Sequence, residues 1–451
     1  MKIKLKTSPI FIILTGIILV DNGIFTYISL PIISDSVKYT SLVAIAAVLL
    51  FINCVANSTI SKVLKPYQNS INIYLIIITL FIAIVSIYSY IKYGQTLKDY
   101  FLTCRFFLYL FLISPILFIF CKENGYEDLV KTITAVVIIF LLLDLAAAVI
   151  YNFTGITVFN AIPFRVRHDR LRIFAPSLFG IAVSYSVFRL FRDKRQLDKL
   201  KWVAVLLVII VYTFYTNMAR MYIISILATV LVMYLVRPRA KTNQVIIWFI
   251  LIVAAVILVE SGVVDAFLET FSEDNEELGS STVARQEAIE YFKQWSNANP
   301  IFSMAFVNPT NSYYYAIFFG PDGVCCFDDI GIINMWYHFG IFGVIVAAAM
   351  FIRLTYLYIK IYYINRSPNR VFIAGLFVFL LVTQVSLSVF DGQRIFFLVL
   401  LWAIFEYEAK TTQVKKTKNV LKFTDRIKNR INRKNAKSPA VKTNEIHTNT
   451  K

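Results

Sequence analysis

The sequence is short of everything that marks a soluble protein. Only 16% of its 451 residues are charged and only three are histidine, against 58% hydrophobic residues and a mean hydropathy of +0.67. A chain this apolar cannot clothe one core in a solvated surface, so the composition defines a polytopic membrane protein. Its five cysteines are an odd number, which excludes a disulfide framework. Cys54, Cys104 and Cys121 lie in or beside apolar runs and read as packing residues, and the adjacent Cys325 and Cys326 read as thiols. No Cys/His spacing suits zinc, and neither a metal nor a cofactor is expected. P-loop, G-x-G-x-x-G and H-E-x-x-H patterns are missing, and His168, His338 and His447 form no Ser/His/Asp grouping. These absences argue against a nucleotide-driven pump. MKIKLKTSPIFIILTGIILVDNGIF carries no small-residue cleavage site, so its apolar run reads as a first span, not a removed signal.

Positive charge is abundant, with a formal net charge of +18. In a soluble chain that excess suggests nucleic acid. Here the basic residues fall between apolar runs and in the tail, where membrane topology accounts for them, and no nucleic-acid partner is expected.

A membrane crossing needs about 20 apolar residues, and about twelve runs qualify. They centre on residues 15–28, 42–56, 71–91, 101–120, 133–150, 174–190, 202–218, 221–236, 245–259, 332–351, 371–389 and 395–405. The expected fold is therefore an all-α polytopic integral membrane protein of about twelve transmembrane helices with one long outer loop. Its expected divisions are nine spans in 1–261, the loop with short helices in 262–330, three spans in 331–409, and a basic, disordered tail in 410–451. Short loops rich in Lys and Arg stay cytoplasmic. Placing both termini there puts the strongly basic connections on that side with one exception, which predicts a multi-pass protein with cytoplasmic N- and C-termini.

The outer face then contains one exception, PFRVRHDRLRIF, where Arg165, Arg167, Arg170 and Arg172 sit in a region normally depleted of arginine. Pairing with acids of the outer loop is one reading of the first three. Arg172 opens a span and cannot leave the lipid boundary, so it asks for a specific anionic partner. Arg220 lies at TNMARMYI, where two spans meet without a polar loop, at a cost of roughly 2.5–3.5 kcal/mol if poorly solvated. Arg394 joins this face between the last two spans. Arg105 and Asp144 fall at similar depths in neighbouring spans and are expected to pair, whereas Asp21 has no expected partner.

The long loop is acidic and carries VARQEAIEYFKQW, whose apolar positions have helical spacing, with Ser281 and Thr282 as expected caps and Arg285 near the helix start. Arginine's planar fork binds phosphate and pyrophosphate bidentately and stays charged. An outer cleft lined by arginines beside lipid therefore suits a lipid-linked pyrophosphoryl sugar, whose leaving group those arginines would stabilise without a metal.

RIFAPSLFG from Arg172, MARMYIIS around Arg220, STVARQEAIEYF around Arg285 and DDIGIINMWYHFGIFG from Asp328 occur in an order and topology that resembles the O-antigen polymerase and ligase superfamily, which includes Wzy-type repeat-unit polymerases. The resemblance covers the second half of the chain. It implies that Arg172, Arg220 and Arg285 hold a lipid pyrophosphate in a metal-independent inverting glycosyltransferase. It further implies an undecaprenyl-pyrophosphate-linked oligosaccharide as substrate, the bilayer as surroundings, and a flippase and a chain-length regulator as partners. The product would be O-antigen, capsular polysaccharide or exopolysaccharide. Two departures stand out: the glycine-rich pattern after the loop helix is replaced by PIFSMAF, and the ligases' His-Asn is replaced by Asp329-Ile330. In an inverting transfer a base must face the acceptor hydroxyl, and Asp329 is the candidate, with capping of the next span or pairing with Arg285 as the plainer roles for Asp328 and Asp329. Arg165, Arg167, Arg170, Asp328 and Arg394 are the further substrate-binding candidates. His338, about nine residues deeper, is expected to be a packed neutral histidine. An O-antigen ligase and a lipid-linked oligosaccharide flippase or other transporter are the alternatives. A flippase predicts charges along a central path and internal repeats, neither of which is evident.

Overall fold

The computed structural model describes residues 8–27, 36–158, 164–167, 170–237, 276–321, 323, 325 and 327–411. The expected ninth span at 245–259, the first part of the long loop and the tail lie outside the described residues.

The elements run α1 (Pro9–Asp21), α2 (Ile24–Tyr27), α3 (Ser36–Ala56), α4 (Ser58–Tyr93), α5 (Leu97–Cys104), α6 (Ile113–Phe120), α7 (Gly125–Thr154), β1 (Phe164–Arg167), β2 (Arg170–Ile173), α8 (Phe179–Arg192), α9 (Gln196–Tyr212), α10 (Arg220–Val236), α11 (Glu276–Ala298), α12 (Ser312–Phe319), α13 (Asn334–Ile359) and α14 (Arg370–Thr383). A last helix, α15, covers 395–411. The protein is thus mostly helical and of membrane type. Val37–Ala56, Ser58–Tyr93, Gly125–Thr154 and Gly331–Asn365 are long and apolar enough to cross a membrane, and Leu97–Cys104 with Phe107–Phe120 adds a fifth crossing if the pair, bent by 57°, is one span.

Among the described residues the count of long crossing helices is therefore four or five, not about twelve. Several expected runs fall on shorter helices, including α1, α10 and α14 with 13, 17 and 14 residues. At 1.5 Å per residue these reach only about 20–26 Å, less than the roughly 30 Å hydrocarbon core. Conversely α4 has 36 residues, and Lys62 and Lys65, expected in a loop, ride on its first turns.

The helices pack antiparallel and define two ends. At the basic end the Lys122 Nζ lies 3.2 Å from Ser8 Oγ, joining α1 to the start of α7, and Arg189 at the foot of α8 reaches Glu127 at 3.2 Å. The link after α13 meets the end of α15 there, through Asn365 Nδ2 to Ala409 O at 2.9 Å and Ser367 Oγ to Glu408 at 2.7 Å. At the opposite end Asp21, closing α1, accepts a hydrogen bond from Ser177, just before α8. Asp21 therefore has a partner that the sequence did not predict. Helix α15 runs through the middle of the bundle: Ile395 through Glu406 are all buried, as befits a helix apolar on every side.

Two features depart from an all-α bundle with an outer loop. Residues 164–173 form an antiparallel hairpin in which Phe164 pairs with Ile173, Arg165 with Arg172, Val166 with Leu171 and Arg167 with Arg170. The second departure lies in 299–308, expected outside. Met304, Ala305, Phe306 and Val307 are buried, with Phe306 among the rings of Phe81, Phe107 and Phe339. Irregular backbone in such a place needs hydrogen bonds from the protein itself. Gln95 supplies two, to Phe306 O at 2.8 Å and from Asn308 N at 3.0 Å; Ser89 Oγ accepts from Phe306 N at 3.0 Å and Tyr93 OH donates to Met304 O at 2.9 Å. Gly340 makes room for this plug. Its φ of +58° breaks the α13 helix, and a Cβ there would sit 2.5 Å from the carbonyl oxygens of Pro300 and Ile301.

Candidate functional site

The hairpin explains the arginine-rich run. Its register sets Arg165 opposite Arg172 and Arg167 opposite Arg170. Leu171 and Ile173 are buried against Ala147 and Ala148 of α7, so Arg172, between them on β2, faces the other way.

Arg172 is then tied to the turn that carries Arg220. Its Nε donates to Asn217 O at 2.9 Å, and Asn217 Nδ2 donates back to Ile173 O at 3.2 Å, where Tyr212 OH also donates at 3.3 Å. The turn is built for this. Helix α9 ends in a π-turn over Thr213–Asn217, Met218 takes a left-handed φ of +51°, and Arg220 begins α10. Asn152 at the end of α7 clasps the same strand, donating to Tyr215 OH at 2.9 Å and accepting from Leu171 N at 3.1 Å. Arg172 and Arg220, 48 residues apart in the chain, therefore share one rigid corner. The first turn of α10 adds the positive end of its dipole. Asn217, Tyr212, Asn152 and Tyr215 were not singled out from the sequence; the signal was their polarity inside otherwise apolar runs.

Asp329 and Arg285 belong to a second assembly. Helix α11 covers 23 residues from Glu276, so Ser281 and Thr282 lie inside it and not at its start, and Arg285 sits two to three turns from that start. Its Phe292 stacks on Phe327 with ring centroids 3.6 Å apart. Phe327 opens the short 3₁₀ turn that ends at half-buried Asp329. Asp329 and Arg285 do not form an ion pair with each other, and the residues that precede the following helical elements are Ile330 and Ile333, so Asp329 does not cap the span either. The Asp328 side chain lies outside the described residues, as do those of Arg165, Arg167 and Arg170. His338 is half-buried, stacked between Phe327 at 4.3 Å and Phe339 at 4.0 Å.

The end of α14 joins the two assemblies. Tyr222, on the first turn of α10, packs on Phe379, and one turn further Gln384 O accepts Ile332 N at 3.0 Å. Gly331, with φ of +67°, permits that approach, since a Cβ there would lie 2.4 Å from Gln384 O. Arg220 and Asp329 thus flank the same terminus of α14. Arg394 lies beyond it, in an ion pair with Asp391, whose Oδ1 also accepts from Gln393 N and Arg394 N. Burial pushes the Asp391 carboxyl above the usual carboxylate range, while Arg394 and these N–H groups act against that.

The expected pair of Arg105 with Asp144 is not formed. Arg105 Nε donates to Thr40 Oγ1 at 2.9 Å, and Asp144 accepts from Tyr27 OH. Similar depth did not bring them together because the two helices turn these residues toward different neighbours. Among the described residues no His/Cys/Asp/Glu cluster fit for a metal occurs. No family model matches the chain, and no curated protein matches it either.

Proposed function

We propose that the protein is a polymerase that joins lipid-pyrophosphate-linked oligosaccharide repeat units into a polysaccharide at the hairpin end of the bundle. The observation that carries the reading is the locked corner in which Arg172, on the second strand of the arginine-rich hairpin, is bound to the turn of Arg220. A pyrophosphate diester at the membrane surface meets the demands of that corner: two charges, planar oxygen pairs for guanidinium forks, and a lipid tail that stays in the bilayer. With the basic end in the cytoplasm, the corner faces outward. Both termini are then cytoplasmic in a bacterial inner membrane, and the shorter helices complete the set of about twelve spans.

In this reading Arg172 and Arg220 hold the pyrophosphate and stabilise the charge that develops as the glycosyl C–O bond to phosphate breaks. Asp329, across the α14 terminus, takes the proton of the attacking acceptor hydroxyl as the new glycosidic bond forms with inversion. Arg285 approaches from α11 and contacts the donor's sugar-phosphate portion, and Arg165, Arg167 and Arg170 guide the anion in. Purified protein given undecaprenyl-pyrophosphate-linked repeat units should lengthen the glycan. Asp329→Asn should stop elongation while donor binding persists. Movement of the lipid-linked unit across a vesicle membrane with no elongation would instead identify a flippase.

A further inference from the structure

At the basic end, α4, α13 and α15 enclose a cavity of about 220 Å³ whose lining includes Lys65, Asn69, Arg353, Lys360 and Lys410. The nearby acids are engaged elsewhere. Glu406 is fully buried and takes Arg353 Nε at 2.8 Å and Nη2 at 2.7 Å, together with the Trp402 indole at 3.3 Å. Glu408 accepts from Ser367 at 2.7 Å and Asn369 at 2.7 Å. No carboxylate among the described residues forms an ion pair with Lys65, Lys360 or Lys410. Three lysines, from α4, the turn after α13 and α15, thus line one concavity.

We propose that this cavity binds the phosphate of an anionic phospholipid headgroup in the leaflet at the basic end. The positive-inside tendency accounts for basic residues at this end in general, as in 194–201. It does not require three lysines from separate elements to line a single cavity in which none of them has an ion-pair partner among the described residues. Lysine supplies point charges that suit a phosphate, and Asn69 adds a neutral donor. A lipid fits the surroundings better than a free ion. Exposed apolar side chains, Val63 of α4 and Ile352 and Ile359 of α13, are near neighbours of the lining residues Lys65, Arg353 and Lys360 in the chain, and acyl chains can lie along them. Basic pockets between transmembrane helices on this side of a membrane are suited to such head groups.

The test uses the full chain in phosphatidylcholine nanodiscs containing increasing phosphatidylglycerol, with retained lipid read by native mass spectrometry. The protein should retain phosphatidylglycerol in preference to phosphatidylcholine. The triple variant Lys65→Gln/Lys360→Gln/Lys410→Gln should lose that preference roughly tenfold or more, with its circular dichroism and elution volume unchanged. A control that removes equal charge from the same end, Lys194→Gln/Lys199→Gln/Lys201→Gln, should keep it. Equal retention of the two lipids by the unmodified protein, or an equal loss in both triple variants, would overturn the proposal. Inorganic phosphate binding at constant ionic strength without phosphatidylglycerol retention would assign the cavity to a free anion and overturn it as well.

Discussion

At the basic end Arg353 faces Glu406, a fully buried carboxylate, through two short contacts; at the hairpin end Arg172 is held through the main-chain carbonyl of Asn217. The two acceptors differ in kind. A carboxylate orients a guanidinium and cancels its charge, which suits a residue whose task is to join helices. The Asn217 carbonyl carries no formal charge and ties the Arg172 guanidinium to the turn that carries Arg220. Arg394, in its ion pair with Asp391, follows the basic-end pattern although it lies at the other end, and so belongs to the wall of the site more than to its floor.

The comparison breaks first, and most visibly, in activity. Arg172→Ala or Arg220→Ala should each lower the rate of glycan elongation by about 10²–10³-fold, the cost of one well-placed donor to developing charge. Lysine at either position should rescue poorly because a point charge does not reproduce the fork. Membrane insertion, followed by fractionation, should be unaffected. A variant of Arg220 with full activity would remove it from the corner.

In stability the order should reverse. Arg353→Ala leaves Glu406 buried without its cation and should cost about 3–5 kcal/mol, read as a large fall in the detergent-solubilised melting temperature. The hydrogen bond that Arg172→Ala removes from the Asn217 carbonyl is worth about 0.5–1.5 kcal/mol. Gly340→Ala falls between them, at about 1–3 kcal/mol for a left-handed backbone position, with the added clash against Pro300 and Ile301. Its distinguishing mark should be proteolytic sensitivity within 299–308, because the plug is what that glycine admits. Protection there equal to the unmodified protein would show that the plug does not depend on the break in α13.

What the sequence disclosed follows from the range of the forces involved. Apolar runs report helices because burial in lipid or in a bundle acts residue by residue, and the arginines at 172 and 220 were visible as charges in a costly place. FRVR and RLRI carry strict two-residue alternation around His168-Asp169, so the hairpin was legible too. The pattern of spans nevertheless points to a loop there, because membrane topology assigns no strand between spans. The plug was not legible: PIFSMAFVNP has no period, and its backbone is satisfied by Ser89, Tyr93 and Gln95, about two hundred residues away. Nor was the fate of Arg105 and Asp144, since counting along a helix yields depth and not the direction in which a side chain turns. Asp329 was chosen from its place before the Gly340 span; its proximity to the Arg220 corner depends on Gln384 and Gly331, which no local pattern announces.

The smallest expected effect separates the side chain of Asn217 from its carbonyl. Alanine keeps the main-chain oxygen that accepts Arg172 Nε and removes only the Nδ2 bond to Ile173 O. Ile173 O retains Tyr212 OH, so Asn217→Ala should cost about 1 kcal/mol and slow elongation only a few-fold. Tyr212→Phe should behave alike. The double variant leaves the Ile173 carbonyl without either donor, which adds a desolvation cost of about 1–3 kcal/mol and makes the two changes more than additive. Melting temperatures of the four proteins in the cycle, with elongation rates beside them, measure that coupling. If Asn217→Ala alone abolishes elongation as Arg172→Ala should, then the amide side chain, and not the carbonyl behind it, sets the direction of the arginine fork.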